Sequence, residues 1–335
     1  MTPIAETAYD RRSIRNVPAP LVMLGEIRTC LLPNSTTLDG EATRDLLALV
    51  PGATVRRRER PGPLAFSPRR AIGVDCHLPW GATDSARVVG TVASMAVLVG
   101  GRLSQTSVHT IVVRAPQKKR RPWSHYLTQV GVIEAIGALP PRAVVDEELV
   151  TGHFTASGLH MLDLSSICAR HMDDLRLSRQ LDQRPPLRAP TTQLRWTAQI
   201  GGRTGPAVSF RVADDLTRTA NVIVRVPGEL PDALRFCQDL AVHDWLLTVI
   251  DAKVQAAEAF SDGRQVAILA PVLEHLAHLW MPGAHVPGTV RSLWRDLQAE
   301  ANFSKQWTSR VEQVQRRIEV AMYYAARGEG LQRSW

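Results

Sequence analysis

Apolar and polar positions alternate most regularly between Arg87 and Arg114. A period of two residues is typical of a β-strand with one face in the core. Gly100-Gly101 interrupts the alternation, which resumes at Leu103. Two β-prone runs joined by two glycines favour a hairpin with a primed turn, because glycine adopts positive φ without strain. We therefore predict a long β-hairpin at 87–114.

Shorter patterns predict further strands and helices around this hairpin. We expect strands at 21–32, 53–60, 193–200, 207–213 and 219–226, the last three forming an antiparallel meander. We also expect a short helix capped by Asp39, a helical patch in VIEAIGAL at 132–139, and a helix that begins at Leu164. These elements indicate a mixed, mainly antiparallel sheet with a few helices.

The C-terminal part of the chain has a helical period. From Pro231 to about residue 260, apolar residues recur at steps of three and four, which predicts a helix with an apolar stripe. A second helix contains Pro271, which should kink it or mark its true start. Two more helices are expected at 290–297 and from Ser304, a candidate N-cap, to Gly328. Four helices with short connections suggest a bundle.

The predicted fold class is therefore α+β, with an N-terminal mixed, mainly antiparallel sheet region followed by a C-terminal all-helical bundle. Residues 1–20 are expected to form a flexible tail and residues 21–228 the sheet-containing region. The bundle is expected at 229–328 and a second tail at 329–335.

Composition and cysteine usage indicate a soluble cytoplasmic protein. The chain has 335 residues, 44% of them hydrophobic, but no uninterrupted apolar span long enough for a membrane helix. The N-terminus lacks the order of charged and apolar residues that marks a signal peptide. Its four cysteines are far apart and form no C-x-x-C pair, which argues against a zinc ribbon or a disulfide framework. We expect reduced thiols.

The positive charge is concentrated near the N-terminus. Residues 1–130 contain 18 basic and 9 acidic residues, a net charge of +9, whereas residues 131–335 contain 22 and 23, a net charge of −1. Such asymmetry can mark a surface for nucleic acid or an acidic partner, or it can reflect solvated loops in an arginine-rich chain. The candidate binding residues are Arg56, Arg57, Arg58, Arg60, Lys118, Lys119, Arg120 and Arg121.

His243 and Asp244 are the first candidates for catalysis, as a base with an orienting acid. Neighbouring residues on a helix point about 100° apart, so the two cannot easily pair with each other. We therefore expect Asp244 to pair with a basic group elsewhere, for instance an arginine of the sheet region. A buried structural contact is the alternative to catalysis for both side chains.

Two further constellations suggest chemistry. His275 and His278 share a helix face and are candidate metal ligands, but a site needs a third ligand, for which His243 or His285 would have to lie close. Structural roles for both histidines are the alternative. Cys30 with the distant His125 is a possible nucleophile and base, although a free cysteine in a strand usually serves packing. No dinucleotide, Walker A or G-x-S-x-G motif is present, and we expect no cofactor.

Several strings resemble an uncharacterised actinobacterial protein family. They are GEIRTCLLPNS (25–35), GVDCHLP (73–79), PWSHYL (122–127), RPPL (184–187), LRW (194–196), HDWLL (243–247) and HLWMP (278–282). The family tends to be encoded in a gene cassette beside a variant P-loop protein and a SAM-dependent methyltransferase. It has no established activity, so the resemblance implies no catalytic residue. It implies protein partners from the same cassette.

Three functional hypotheses follow. The first is a non-enzymatic interaction or adaptor protein of a multi-gene actinobacterial system. The second is a nucleic-acid-binding protein that uses the basic N-terminal region. The third is an enzyme of unrecognised type that uses His243, Asp244, His275 and His278, and it requires these side chains to converge in one cleft.

Overall fold

A mixed, mostly antiparallel ten-stranded sheet occupies the N-terminal two-thirds of the chain, and helices follow it. The computed structural model describes residues 19–80, 84–137, 142–155, 158–201, 205–260, 263–300 and 302–332. The predicted fold class, α+β, is confirmed. Most of the predicted tail at 1–20, and the last three residues of the tail at 329–335, lie outside the described residues.

The strands are β1 (Val22–Leu31), β2 (Arg56–Arg58), β3 (Leu64–Phe66), β4 (Arg70–Trp80), β5 (Asp84–Val99), β6 (Leu103–Arg114), β7 (Val132–Ile136), β8 (Thr192–Ile200), β9 (Ala207–Val212) and β10 (Thr217–Val224). The α-helices are α1 (Gly40–Leu47), α2 (Trp123–Leu127), α3 (Arg142–Thr155), α4 (Leu164–Arg176), α5 (Leu230–Ala257), α6 (Gly263–His275), α7 (Arg291–Glu300) and α8 (Phe303–Gln332). The sheet order is β2-β3-β5-β7-β6-β1-β8-β10-β9, and β4 pairs with β5.

The predicted hairpin at 87–114 is confirmed as β5 and β6. Gly100 and Gly101 have φ values of +59° and +63°, as a primed turn requires. The pairing of Val97 with Gln105 and of Met95 with Ser107 fixes the register of the two strands. Because the register is set, alternate residues of each strand face opposite sides of the sheet.

Helices cover both faces of the sheet. On one face, α5 packs on β1, β8 and β10, and the cores of the sheet and of the C-terminal helices form one apolar cluster. On the other face, α3 and α4 pack on β1, β4 and β6. The predicted boundary at residue 229 therefore coincides with a change from strands to helices but not with a gap in the core.

Helix α5 is the centre of the C-terminal part. Between Leu230 and Leu247 every residue except Arg235 is buried. The sequence predicted one apolar stripe, but the helix is enclosed on all sides by the sheet and by α6 and α8. Polar residues of this helix must therefore find partners inside the protein, because burial removes them from water.

Several local predictions were wrong. The part of the patch VIEAIGAL that is described is not a helix, because Val132–Ile136 forms strand β7 between β5 and β6, and residues 138 and 139 lie outside the described ranges. The three strands at 193–226 do not form a meander, since β10 lies between β8 and β9 and runs parallel to β8. The strand expected at 53–60 is only Arg56–Arg58. Helix α8 begins at Phe303 and continues past Gly328 to Gln332.

Within the ranges described, no helix combines the length and the apolar character that crossing a membrane requires. The four cysteines, Cys30, Cys76, Cys168 and Cys237, are free thiols, and all except Cys76 are buried. Burial raises the pKa of Cys168 to about 12 and that of Cys76 to about 11.

Candidate functional site

A small cavity lies beneath the N-terminal half of α5. Strands β2, β3, β5 and β6 form its floor, and the connection between α6 and α7 closes its other side. Its volume of about 30 Å³ is room for roughly two water molecules, since one needs about 10–15 Å³. The polar side chains that line it are Arg58, Gln105, Arg235, Gln238, Asp239 and His285, together with His243.

His285 is the least satisfied group of the cavity. Both of its ring nitrogens are buried, and neither has a hydrogen-bond partner among the residues described. Burial lowers the pKa of His285, the positive charge of Arg58 lowers it further, and the carboxylate of Asp239 opposes both effects. The imidazole therefore stays neutral near pH 7, with one N–H to donate and one nitrogen to accept.

Asp239 is held in place by two donors. Its Oδ2 accepts a hydrogen bond of 2.7 Å from the backbone N–H of Gly283 and one of 2.8 Å from Nε1 of Trp294. Hydrogen bonds to a carboxylate are about twice as strong as those between neutral groups. The side chain therefore anchors the connection between α6 and α7 to α5, and this connection carries His285.

Arg235 is the one residue of the buried half of α5 that is not itself buried. Its guanidinium lies 4.1 Å from the ring centroid of Phe66. Beyond the cavity, the hydroxyl of Ser107 and Nδ1 of His109 follow Gln105 on the same face of β6, and both lack hydrogen-bond partners in the described parts. An unsatisfied buried polar group costs about 1–3 kcal/mol, so each of these two groups lowers the stability of this part of β6.

The catalytic candidate His243 is fully engaged by the fold. Its Nδ1 donates to the backbone carbonyl of Asp239 at 2.7 Å, and its Nε2 accepts from the backbone N–H of Met281 at 3.1 Å. The indoles of Trp280 and Trp294 pack against its ring. With both nitrogens bonded, His243 has no free position for a proton transfer or a metal ion.

Asp244 points to the sheet, as expected. Its Oδ1 lies 3.1 Å from Nε of Arg218 on β10, and both side chains are largely buried. The expected pairing of Asp244 with an arginine of the sheet region is confirmed. Burial raises the pKa of Asp244, and the attraction of Arg218 only partly offsets this.

The metal candidates His275 and His278 lie beyond α5, at and after the end of α6. Nε2 of His275 is 3.9 Å from Glu274, and burial together with the charge of Arg102 lowers the pKa of His278. Within the described ranges, no group of three His, Cys, Asp or Glu side chains is placed to hold a metal ion. Of the possible third ligands, His243 and His285 lie together at the cavity, but His243 is already bonded.

The two basic clusters are separated. Arg120 of the second cluster and Arg87 on β5 both form an ion pair with Asp75. Arg56 of the first cluster pairs with Phe66 in the β2–β3 ladder, and Phe66 pairs with Val97 on β5. Arg87 and Val97 are ten residues apart on β5, about 33 Å at roughly 3.3 Å per residue. The clusters therefore do not form one patch.

Within the first cluster, the arginines have different surroundings. Arg57 pairs with Glu59 at 2.7 Å, Arg58 lines the cavity, and Arg56 and Arg60 lie at the edge of the sheet. In the second cluster, Lys118, Lys119 and Arg120 are exposed, and Arg121 contacts His125 at 3.1 Å.

Cys30 and His125 do not meet. The thiol of Cys30 contacts Ser104 and Met172 in the core, and burial raises its pKa. His125 lies 3.1 Å from Glu134 on β7. The structure therefore does not place these two side chains as a nucleophile and its base.

Sequence reasoning missed Asp239 and Arg235 and considered His285 only as a metal ligand. Asp239 lies four residues before His243 on the same helix, and this spacing, which brings two side chains together, could have pointed to it. His285 lies in an irregular connection, where no periodicity points to it. No protein-family model, curated protein or solved structure matches this chain.

Proposed function

We propose that the chain is a non-enzymatic interaction protein that acts with other proteins of its gene cassette. The observation that supports this most is a cluster of exposed apolar side chains near the end of α8. Val320, Tyr323 and Tyr324, which helical spacing places on one face of α8, are each 48–62% exposed. Tyrosine is enriched where proteins meet, and grouped exposed apolar residues mark interaction sites more often than single ones do.

The enzyme hypothesis has less support. It requires His243, Asp244, His275 and His278 to converge, but His243 faces the α6–α7 connection and Asp244 faces β10. Each of these two has a structural partner that explains its burial. The proposal therefore gives the α8 cluster, and not these residues, the central role.

Co-purification of the tagged full-length chain with the cassette P-loop protein and methyltransferase tests the proposal. The variant Val320→Lys/Tyr324→Lys places two charges in the cluster and should abolish capture of the partner. Leu177→Lys is the matched control, because Leu177 is 76% exposed in another part of the surface. Equal capture by all three proteins would contradict the role of α8, and no capture by the parent chain would contradict the function.

A second candidate function, nucleic-acid binding, is favoured by the loop at 118–123. Lys118 and Lys119 are exposed, and the guanidinium of Arg120 lies 4.9 Å from the ring centroid of Trp123. Trp123 is itself 36% exposed. Basic residues beside an accessible aromatic ring suit single-stranded nucleic acid, because phosphates pair with the cations and bases stack on the ring.

The salt dependence of binding tests this second function. Each phosphate contact contributes about 0.7 to the slope of log K against log salt for a single strand, so Lys118→Ala/Lys119→Ala should lower the slope by roughly 1.4. Lys305→Ala, an exposed lysine of α8, is the control and should leave the slope unchanged. An unchanged slope in the double variant would exclude this loop as the interface.

A further inference from the structure

We propose that a second cavity, at the start of α1, is a binding site for a neutral polyol of about the size of a monosaccharide. The cavity lies between the loop that leads into α1, strands β2 and β3, and the Gly100-Gly101 turn. Its volume of about 170 Å³ is room for roughly a dozen water molecules at about 10–15 Å³ each, and a hexose has about as many non-hydrogen atoms. The inference concerns a small-molecule site and is independent of the interaction function proposed above.

Thr43 supplies a buried hydroxyl that the chain itself does not use. The residue lines the cavity and is only 6% exposed. The carbonyl oxygen of Asp39 accepts the backbone N–H of Thr43 at 3.0 Å, but the hydroxyl has no hydrogen-bond partner in the described parts of the chain. Buried hydroxyl groups nearly always have a partner, so a ligand in the cavity would complete the bonding of Thr43.

Two carboxylates supply acceptors at the same wall. Oδ1 of Asp39 accepts the backbone N–H groups of Glu41 and Ala42, both at 2.9 Å, which leaves Oδ2 for a ligand. Oε1 of Glu59 accepts Nη2 of Arg57 at 2.7 Å, and its second oxygen is likewise left. Each carboxylate is therefore positioned by one oxygen and offers the other.

Thr37 and Arg57 supply donors. Oγ1 of Thr37 accepts from Nη2 and Nε of Arg102 at 2.7 and 3.2 Å, so the hydroxyl hydrogen of Thr37 must point away from Arg102. The guanidinium of Arg57 lies against the start of α1, where a Cβ at Gly40 would overlap it. Arg57 keeps its ion pair with Glu59 when a ligand binds, because a guanidinium has five N–H donors and this pair uses one.

The wall favours a neutral ligand over an ion. The charge of Glu59 is balanced by Arg57, and the N-terminus of α1 offsets that of Asp39. A free anion would meet two carboxylates, and a free cation would meet the guanidinium. Each hydroxyl of a polyol can donate to a carboxylate and accept from a guanidinium or from another hydroxyl. Neighbouring hydroxyls on one sugar ring therefore match this mixture of donors and acceptors.

Apolar residues form the rest of the wall and suit the C–H groups of a sugar ring. They are Leu38, Pro63, Leu64, Ala65 and Leu98. Ala65 and Leu98 are buried, whereas Asp39, Arg57 and Glu59 are exposed. The ligand therefore enters from the charged side, with Thr43 at the inner end.

Saturation-transfer NMR on the full-length chain tests the proposal. Glucose, mannose, ribose and myo-inositol are titrated separately, with sodium acetate and methylammonium chloride as charged references. We expect a saturable signal from at least one polyol and none from either ion. The absence of a saturable signal from all the polyols, or saturable binding of either ion, would overturn the proposal.

Two variants locate the site. Thr43→Val removes the hydroxyl at nearly constant shape, so it should keep or raise the unfolding midpoint and weaken binding about threefold or more. Glu59→Gln, in an exposed side chain, should weaken binding about fivefold or more, because a bond to a carboxylate is the stronger one. Thr308→Val, in an exposed threonine of α8, is the matched control and should bind like the parent. Parent affinity in Thr43→Val or, where that variant does not fold, in Glu59→Gln would overturn the proposal.

Discussion

The buried ion pair between Arg218 and Asp244 gives the sharpest test of how α5 is held on the sheet. Only 8% and 10% of the two side chains are exposed, and Nε of Arg218 lies 3.1 Å from Oδ1 of Asp244. Arg218 also donates to Oγ1 of Thr248 at 3.1 Å. Replacing Arg218 by Met therefore leaves the carboxylate of Asp244 buried without its cation.

The expected magnitude follows from this geometry. Removing one partner of a buried pair costs about 3–5 kcal/mol, because the remaining charge cannot reach water. Asp244→Asn should cost less, about 1–3 kcal/mol, since an amide oxygen still accepts the N–H of Arg218. The double variant Arg218→Met/Asp244→Asn should cost clearly less than the two separate losses together, because no unpaired charge remains.

The pH dependence has a definite sign. Burial raises the folded-state pKa of Asp244, and removal of Arg218 takes away the attraction that limits this rise. A carboxyl group with a raised folded-state pKa stabilises the fold below its unfolded pKa and loses that contribution as the pH rises through the folded value. The cost of Arg218→Met should therefore shrink as the pH falls toward the unfolded pKa.

Urea unfolding followed by tryptophan fluorescence and by circular dichroism measures these free energies. The two signals must give the same transition for the values to be comparable. A cost of less than about 1 kcal/mol for Arg218→Met, or full additivity of the two single variants, would refute the reasoning.

Three further outcomes are expected. In urea unfolding, Gly101→Ala should destabilise the fold by clearly more than Gly52→Ala. Both glycines have positive φ, but a Cβ at Gly101 would lie 2.3 Å from the carbonyl oxygen of Leu38, whereas a Cβ at Gly52 would meet nothing. Equal losses of unfolding free energy in the two variants would contradict this clash. At pH 8, a thiol reagent should label Cys76 slowly and the other three cysteines only after unfolding, and rapid labelling of all four would contradict their burial. Burial holds the pKa of His171 at about 4, below its unfolded value, so the stability that the neutral side chain contributes above about pH 6.5 is lost as the pH falls toward 4. Over that range the thermal midpoint of His171→Gln should therefore fall less than that of the parent chain. Parallel plots of the two midpoints against pH would contradict this role of His171.

Local chemistry explains which elements could be predicted. The hairpin of β5 and β6 needs only alternation and two glycines at its turn, and all of these lie within 28 consecutive residues. The N-cap of α1 is equally local, since Asp39 accepts from the N–H groups of Glu41 and Ala42 at 2.9 Å. These patterns depend only on residues that are close together in the sequence, so they can be recognised without knowledge of the fold.

Pairing partners distant in sequence explain the errors. Strand β7 has five residues, four of them apolar, a length at which the helical and extended patterns cannot be told apart. It becomes a strand because Val132–Ile136 fits between the ends of β5 and β6. Likewise, β10 is inserted between β8 and β9 through a parallel pairing that the short turns did not indicate.

The sequence indicated only some residues of the candidate site, for a related reason. His243 and Asp244 attracted attention because they are polar residues in an apolar helix, but that position predicts buried partners more directly than chemistry. His285 lies outside the regular elements, and its importance comes from what the fold leaves around it. An unsatisfied nitrogen is a property of packing, so no sequence pattern marks it.

The polar residues of α5 complete this argument. Asp232 accepts from Thr289, Asp239 from Gly283 and Trp294, and Asp244 pairs with Arg218. Each of these contacts ties the helix to a different neighbour, so residues that lie close in sequence act as separate anchors. Because these anchors are all satisfied, the fold itself explains the burial of the acidic residues of α5, and it does so without the ring nitrogens of His285, which have no partner among the residues described.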